Sequence, residues 1–540
     1  MIPIPITIDG KPVDVDEGGT ILDGARRLGI DIPTLCYLER CGPMTSCLAC
    51  VVKLKFNGRT SIVPSCGMRA MPGMVVESET PEVHELRRSA LELLLSDHVG
   101  DCLSPCARIC PLGLNIPQML RQVQAGRLEE AATTVRSALA LPAVLGRLCH
   151  RPCENGCRRA ACDSAAAIRD VERFVADTEQ GRAEPRLPRC APGTGRRVAI
   201  IGAGPTGLAA AYELVRHGHR CVVWDRAQAP GGSLRREVDD GRLGGGVLDI
   251  EIRELRRLGI EFCSGMELGR DVRIPSLLEE FDAVLLAMGG AAIASGPGLG
   301  VEMTAAGVKI VRADAFLTSV DGVFAAGSAV RPVKQLVKAM AEGQMAAEAI
   351  GEFLAGHDPR KAPKPFSSVM GRLEKTELRL FQAGASPDSR VVACGGAGAG
   401  LATDEAARES ARCLHCDCRA AGNCRLQHYS QVYGAEFGRF PRQRRLFEQH
   451  HHPARVLFEP GKCILCGICV KIASDAAEPL GLTFVGRGFD VRVSAPWNEA
   501  FEAGLRRTAA DCAEACPTGA IVVDESAAPT TAEAPGTERF

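Results

Sequence analysis

The residues best suited to chemistry in this sequence are its 25 cysteines. They fall into four closely spaced groups, separated by long stretches that hold few. Disulfide-rich scaffolds are small secreted chains, whereas this chain has 540 residues and starts without the basic and apolar regions of an export signal. Thiolates are soft ligands that suit zinc and iron–sulfur clusters. The cysteines therefore predict metal binding in a reducing compartment, which we expect to be the cytoplasm.

The first group has the spacing C-x10-C-x2-C-x15-C and comprises Cys36, Cys47, Cys50 and Cys66. Structural zinc is usually bound by two close cysteine pairs, but here the first and last cysteines stand apart, as in a loop around a 2Fe–2S cluster. The segment resembles the N-terminal ferredoxin domain in the large iron–sulfur subunit of respiratory complex I and of related NAD-linked hydrogenases. We therefore predict a 2Fe–2S cluster here, with Cys41 left over.

The second group could hold two 4Fe–4S clusters. Its members are His98, Cys102, Cys106, Cys110, Cys149, Cys153 and Cys157. Each cluster needs four ligands, so these seven fall one short, and we take Glu172 as the eighth. The stretch resembles the helical domain of the glutamate synthase small subunit and of dihydropyrimidine dehydrogenase. That domain holds two 4Fe–4S clusters with interleaved ligands, one of them not a cysteine.

This resemblance implies how the ligands are shared. One cluster would take His98, Cys102, Cys106 and Cys157, and the other Cys110, Cys149, Cys153 and Glu172. The first cysteine of the glutamate synthase family is absent from this sequence. We assign His98 to its place, because the complex I subunit has a histidine ligand at the same distance before a cysteine as His98 is before Cys102. The alternative for His98 is a surface histidine at the end of a helix.

Two further cysteine groups lie toward the C-terminus. The pattern C-x2-C-x-C-x5-C, formed by Cys413, Cys416, Cys418 and Cys424, fits a 4Fe–4S cluster or zinc, and the redox context favours the cluster. The second pattern begins as a bacterial ferredoxin motif, lacks the usual fourth cysteine, and is completed from further along the chain by Cys516; its members are Cys463, Cys466, Cys469 and Cys516. Cys512 is then a spare thiol. The assignments amount to about 18 irons per chain.

A glycine-rich turn predicts a dinucleotide site. The strand Val198–Ile201 runs into Gly202, Gly204 and Gly207 in the order G-x-G-x-x-G, a helix follows, and a second strand ends at Asp225. The first two glycines allow a tight turn and close approach of a pyrophosphate, the third lets helix and strand pack, and Asp225 can bind ribose hydroxyls.

Two later segments, Asp282–Gly290 and Gly322–Ser328, resemble FAD motifs of the glutamate synthase small subunit. This resemblance implies FAD, held also through Gly289, Gly327 and Ser328, where the family has an aspartate in place of Ser328. The helix after Gly343 would point its N-terminus toward the flavin ring.

The family inserts a second dinucleotide domain, which binds NADPH, between positions 290 and 308. This chain has only 17 residues there and no second fingerprint. We therefore expect that the flavin cannot receive hydride from a nicotinamide bound by its own chain. The alternative is a flavin that is merely structural.

These features imply a multidomain chain of α+β and α/β classes. We expect a β-grasp-like 2Fe–2S ferredoxin domain, a helical domain with two 4Fe–4S clusters, a Rossmann-type FAD domain without the NADPH insert, a linker with a Cys-rich cluster motif, a ferredoxin-like 4Fe–4S domain and a disordered tail. Their predicted boundaries are 1–80, 81–190, 191–356, 357–440, 441–525 and 526–540.

The composition excludes several functions. With 64 basic and 65 acidic residues the net charge is −1, which offers no attraction for nucleic acid or anionic membranes. No apolar run approaches the roughly 20 residues of a membrane span. No catalytic triad or phosphate loop offers a rival chemistry, and the histidines at 450–452 indicate a solvated or partner-facing stretch rather than a metal site.

We therefore predict an FAD- and iron–sulfur-containing electron-transfer subunit of a cytoplasmic, NAD(P)-linked oxidoreductase, of hydrogenase, formate dehydrogenase or electron-bifurcating type. The resemblance to complex I implies a partner subunit that binds NADH and FMN, a thioredoxin-like 2Fe–2S subunit, and exchange with ferredoxin. Two alternatives stay open: a reductase like the glutamate synthase small subunit that feeds a separate catalytic subunit, or a non-catalytic electron wire with structural FAD.

Overall fold

The computed structural model describes residues 3–290, 299–396, 398–420, 422–440 and 443–523. The chain divides into two compact units. The first unit comprises Met1–Ser104, Pro365–Gly384 and Cys416–Phe540, and the second comprises Pro105–Lys364 and Ala385–His415. The tail predicted to be disordered, from residue 526, lies outside the described residues.

The N-terminal part of the first unit is a mixed five-stranded sheet. Its strands lie in the order Lys11–Val15, Ile4–Ile8, Val75–Glu77, Val51–Phe56 and Arg59–Pro64. Neighbours are antiparallel except for the parallel pairing of Ile4–Ile8 with Val75–Glu77. The helix Ile21–Arg27 starts at a capping box between Thr20 and Asp23 and contributes Ile21 and Leu22 to the core.

Helices and small sheets complete the first unit. Its longer helices are Pro81–Ser96, Lys375–Ala383, Arg425–Val432, Ile468–Asp475 and Ala509–Ala515. A three-stranded antiparallel sheet joins His450–His452, Val456–Phe458 and Ile521–Val523, and the strands Thr483–Val485 and Arg492–Ser494 form a hairpin. The short strands Tyr37–Leu38 and Gly42–Pro43 pair within the first cysteine loop.

The N-terminal half of the second unit is helical. Its helices are Pro105–Ile109, Ile116–Gln124, Leu128–Arg136, Pro142–Leu148, Pro152–Asn155 and Ile168–Gln180, to which the later helix Thr403–Ala411 is added. The predicted linker 357–440 therefore contains three helices among its described residues. Lys375–Ala383 and Arg425–Val432 belong to the first unit, and Thr403–Ala411 belongs to the second. The glycines near position 396 lie in a loop.

The rest of the second unit is an α/β layer. Five parallel strands lie in the order Glu261–Ser264, Arg220–Asp225, Arg197–Ile201, Ala283–Leu286 and Val323–Ala325. The three strands Arg197–Ile201, Ala283–Leu286 and Val323–Ala325 are almost entirely buried and read as apolar runs. The helices of this layer are Pro205–Arg216, Ser233–Asp239, Gly245–Arg257, Ile274–Glu280 and Leu336–Leu354. Because strand order reverses beside Arg197–Ile201, a crevice opens at its carboxyl end.

Candidate functional site: thiol clusters and a dinucleotide cleft

The four thiols of the first cysteine group converge in the first unit. The thiol of Cys36 hydrogen-bonds those of Cys47 and Cys66, and the Sγ atoms of Cys50 and Cys66 are 3.2 Å apart. Leu48 has the left-handed φ of 55°, which turns the loop tightly between Cys47 and Cys50. All four thiols are buried. The loop thus presents four sulfurs to one point, as the sequence predicts for a 2Fe–2S cluster.

Another group of thiols, from the C-terminal part of the chain, lines a cavity in the first unit. The cavity wall includes the predicted ligands Cys463, Cys466, Cys469 and Cys516, together with Cys512. Burial, followed by the charge of Cys516, raises the pKa of Cys463 to about 12, because a thiolate there would lose its hydration. Cys512 Sγ lies 3.8 Å from the carbonyl oxygen of Cys469. The supposedly spare thiol is therefore part of this cavity.

These two groups of thiols lie side by side in the first unit. Cys36 and Cys47 share a buried cluster with Cys466 and Cys469. The charge of Cys36 is also among the causes that raise the pKa of Cys466, after burial, the dominant cause, and the nearer thiols. The structure therefore brings the first and last predicted metal sites of the chain next to each other.

In the second unit, Cys110, Cys149, Cys153 and Glu172 lie together. Burial, followed by the charges of Cys110, Glu172 and Cys149, raises the pKa of Cys153. Glu172 is 7% exposed and its pKa is raised by burial to about 8. Its Oε1 has no hydrogen-bond partner among the described residues. A buried, unsatisfied carboxylate beside three thiols fits a metal ligand, since an unpaired polar atom is otherwise costly.

The remaining predicted ligands are divided between the units. Cys106, Cys157 and Cys413 belong to the second unit, where they contact its core. His98, Cys102, Cys416, Cys418 and Cys424 belong to the first. Burial, with a smaller contribution from the charge of Lys462, lowers the pKa of His98 to about 3. Its Nδ1 is buried and has no hydrogen-bond partner in the part of the chain described.

The glycine-rich turn of the second unit forms one wall of a cleft. Gly202 has φ +112° and an added Cβ would lie 2.5 Å from the carbonyl oxygen of Ala287. A Cβ on Gly207 would lie 1.9 Å from the carbonyl oxygen of Gly202, whereas one on Gly204 would meet nothing within 4 Å. Gly202 and Gly207 are therefore required by packing, and Gly204 faces open space where a pyrophosphate could approach.

The other predicted dinucleotide residues surround the same cleft. Its lining includes Asp225, Gly289 and Ser328. Asp225 accepts hydrogen bonds from the backbone N–H groups of Ala203 (2.7 Å) and Ala227 (2.8 Å), which fix its carboxylate at the end of its strand. Gly327 has a positive φ of 65° beside Thr206, and Ser328 Oγ accepts from the backbone N–H of Val333 (3.1 Å).

The helix expected after Gly343 begins earlier, at Leu336. Its first turn lines the cleft, so a helix N-terminus does face this space, although Gly343 lies in the middle of the helix. A Cβ on Gly343 would lie 2.2 Å from the carbonyl oxygen of Thr206. Gly343 therefore allows this helix to pack closely on Pro205–Arg216 rather than to start.

Sequence reasoning missed the charged residues beside the thiols. Lys462 is 3% exposed and pairs with Glu459, which is 4% exposed. The charge of Lys462 acts on Cys418 and on His98. Its place directly before Cys463 is the only signal that the sequence offered.

The described residues contain neither a compact site for a single metal ion nor a helix that could span a membrane. In the described ranges, no three histidine, cysteine or acidic side chains are grouped as ligands of a single metal ion. Ligands of a cluster surround several iron and sulfide atoms and need not meet this geometry. No helix among the described residues is long and apolar enough to cross a membrane.

Three family models match this chain and together define its class. Residues 2–81 match the 2Fe–2S iron–sulfur cluster binding domain, residues 97–184 match the dihydropyrimidine dehydrogenase domain II with a 4Fe–4S cluster, and residues 200–256 match an NAD(P)-binding Rossmann-like domain. The chain is therefore a multidomain α/β protein with 2Fe–2S, 4Fe–4S and Rossmann-like domains.

Its relatives are subunits of oxidoreductases. The NADP(+)-dependent formate dehydrogenase subunit beta of Moorella thermoacetica is 35% identical over 207 residues, or 34% of this chain and 29% of that protein. The glutamate synthase (NADPH) small chain of Bacillus subtilis (strain 168) is 36% identical over 201 residues, or 35% and 40% of the two chains. The NAD-dependent dihydropyrimidine dehydrogenase subunit PreT of Escherichia coli (strain K12) is 34% identical over 223 residues, or 40% and 53%.

The resemblance to the glutamate synthase small subunit and to dihydropyrimidine dehydrogenase is thus confirmed. The matched part spans 29%, 40% and 53% of the lengths of these three curated relatives.

Proposed function

We propose that this chain is an electron-transfer subunit of an NAD(P)-linked oxidoreductase, of hydrogenase, formate dehydrogenase or electron-bifurcating type. Iron–sulfur clusters carry single electrons, whereas FAD exchanges one or two and can join a hydride reaction to a cluster chain. All 25 cysteines are free thiols, which supports a reducing compartment such as the cytoplasm.

Three ligand groups support this proposal most directly. The first holds a 2Fe–2S cluster through Cys36, Cys47, Cys50 and Cys66. The second and third hold 4Fe–4S clusters through Cys463, Cys466, Cys469 and Cys516, and through Cys110, Cys149, Cys153 and Glu172. In each group the side chains lie together and are shielded from water, so that a bound cluster would take the place of the lost hydration.

The observation that carries the proposal is the adjacency of Cys36 and Cys466 in one buried cluster. A structural metal site has no need of a second one beside it. Two thiol groups that share a core can exchange electrons without solvent between them. This arrangement is expected of an electron relay and not of separate structural zinc sites.

The cleft of the second unit supports FAD as the dinucleotide. Gly204 leaves room for the pyrophosphate, Asp225 is fixed near the ribose position, and the first turn of Leu336–Leu354 offers N–H groups at the other end. Downstream of Gly290, the described residues 299–308 include the two-residue strands Met303–Thr304 and Gly307–Val308, paired as a hairpin. This short connection supports a nicotinamide site on a partner, namely an FMN- and NADH-binding subunit, with a thioredoxin-like 2Fe–2S subunit beside it.

Anaerobic reduction of the purified full-length chain tests the proposal. Dithionite should bleach both flavin and clusters, whereas NADH and NADPH alone should not. Adding the co-purified partner subunits should make NADH effective. Bleaching of the isolated chain by NADPH would instead support a reductase like the glutamate synthase small subunit, and a flavin that no physiological donor reduces would support a structural role.

A further inference from the structure

The second unit is inserted into the chain of the first unit between two groups of predicted cysteine ligands. The chain leaves the first unit after Ser104, and the last segment of that unit starts at Cys416. The two ends of the break lie together inside the first unit, because the backbone N–H of Cys418 donates to the carbonyl oxygen of Cys102 (3.3 Å). Two cysteines separated by more than 300 residues in sequence are thus neighbours.

A third cysteine and a histidine lie at the same junction. The pKa of Cys424 is raised first by burial and then by the charges of Cys418 and Cys102, so the three thiols face one region. His98 lies near this region, because the backbone N–H of Val99 donates to the carbonyl oxygen of Gly461 (2.7 Å), next to Lys462. The charge of Lys462 acts on both His98 and Cys418. The buried Nδ1 of His98 lacks a hydrogen-bond partner among the residues described, which is the state expected of a metal ligand without its metal.

The walls around these side chains are closely packed. Ser368 Oγ lies 3.2 Å from Cys102 Sγ and donates to the carbonyl oxygen of Gly100 (2.7 Å). A Cβ on Gly519 would lie 2.3 Å from Cys418 Sγ, and one on Gly100 would lie 2.6 Å from Lys462 Cε. Glycines at these two points let the backbone approach the sulfur and the lysine closely.

We propose that His98, Cys102, Cys418 and Cys424 hold one 4Fe–4S cluster, whose ligands come from both sides of the inserted second unit. This inference rests on the proposed iron–sulfur function. It differs from the grouping predicted from sequence, in which Cys102 shares a cluster with Cys106 and Cys157, and Cys418 shares one with Cys413. Four predicted ligands, Cys106, Cys157, Cys413 and Cys416, then lie outside this cluster.

Pairs of cysteine variants in the full-length chain distinguish the two groupings. The variants are Cys102→Ala, Cys424→Ala, Cys413→Ala, and the doubles C102A/C424A and C413A/C424A, each measured for iron content and for electron paramagnetic resonance after dithionite reduction. C102A and C424A should remove the same signal, and their double should lose no more iron than either single. C413A should leave that signal in place, and C413A/C424A should remove it. Cys190→Ala, at an exposed thiol, is the matched control and should change nothing.

The opposite pattern would overturn the inference. If C102A/C424A lost two clusters, and C413A alone removed the signal that C424A removes, the grouping would be wrong while the iron–sulfur function stood. A parent chain without iron would overturn both. Cys102→Ser and Cys424→Ser replace any alanine variant that does not fold, with the same expected pattern. His98→Cys tests the histidine, which both groupings include: it should keep the full iron content and change the g-values of one signal, and an unchanged spectrum would exclude His98 as a ligand.

Discussion

The two units differ in how the chain assembles their candidate sites. In the second unit, the dinucleotide cleft comes from one α/β segment, and Cys110, Cys149, Cys153 and Glu172 come from the helices and loops directly before it. In the first unit, residues far apart in sequence meet: Arg87 donates to the hydroxyl of Tyr433 (2.7 Å), and Cys418 lies against Cys102. Spacing therefore predicts a site well where the chain is continuous and poorly where another unit interrupts it.

The largest expected effect tests the continuous cysteine loop of the first unit. Cys36→Ala removes the thiol that hydrogen-bonds both Cys47 and Cys66. We expect loss of the 2Fe–2S signal and of its iron, since the loop has no substitute at that position. Iron analysis and electron paramagnetic resonance of the full chain measure this. Cys41→Ala, in the same loop, is the control, and equal losses from both variants would contradict the ligand assignment.

The next effect tests the continuous site of the second unit. Gly204→Ala adds a methyl group that meets no protein atom within 4 Å, so the fold should be unchanged while the pyrophosphate is blocked. We expect flavin affinity to fall at least tenfold, which is about 1.4 kcal/mol. Flavin content after desalting and the melting temperature separate binding from folding.

Substitutions at two other glycines are the controls for this result. Gly207→Ala places a methyl group 1.9 Å from the carbonyl oxygen of Gly202 and should lower both flavin content and melting temperature. Gly246 lies in the helix Gly245–Arg257, and a Cβ added there would meet no atom within 4 Å. Gly246→Ala should therefore stabilise the chain by up to about 1 kcal/mol and leave the flavin content unchanged. Full flavin retention in G204A would show that the dinucleotide does not approach this turn.

Local patterns predicted much of both units. The glycine turn with its strand and helix depends on residues close in sequence, whereas the grouping of Cys110 with Glu172 came from the resemblance to the glutamate synthase small subunit. Counting seven ligands called for an eighth, and the structure places Glu172, buried, beside three thiols. The beginning of the helix Leu336–Leu354 was harder to predict, because Gly343 resembles a start signal but serves close packing.

Other features could not be read from local patterns. The pair Lys462–Glu459 and the carboxylate of Glu377, which pairs with Arg444, are buried, and a lysine or glutamate in sequence gives no sign of this. The contact between Cys102 and Cys418 likewise depends on how three separate segments of the chain fold together into the first unit. Only the folded chain shows which cysteines are neighbours.

A further prediction tests how the separate segments of the first unit are held together. Burial would raise the pKa of Glu377, but the Arg444 guanidinium and the N–H groups of Glu374 and Phe447 outweigh it and lower the pKa to about 2. A carboxylate with a lowered pKa stabilises the fold above its unfolded pKa and loses that contribution as pH falls toward 2. Glu377→Gln should therefore lower stability at pH 7 by about 3 kcal/mol.

The pH dependence checks this assignment. Urea unfolding followed at pH 7 and pH 4 should show a smaller difference between E377Q and the parent at the lower pH. The exposed Glu448→Gln is the matched control and should change stability at neither pH. A difference between E377Q and the parent that stayed constant with pH would mean that the amide lost packing rather than charge.

The smallest expected effect concerns Lys462, which the sequence did not reveal. A buried positive charge stabilises the reduced, more negative state of a nearby cluster, so its removal should lower the reduction potential. Lys462→Met should shift one potential downward by about 60 mV, a tenfold change for one electron. Because K462M also leaves Glu459 unpaired, the double K462M/E459Q should recover part of the shift. Redox titration followed by electron paramagnetic resonance measures it, and the shift should fall on the signal that C424A removes. A shift confined to another signal would place Lys462 beside a different cluster and would separate it from the junction of Cys102 and Cys418.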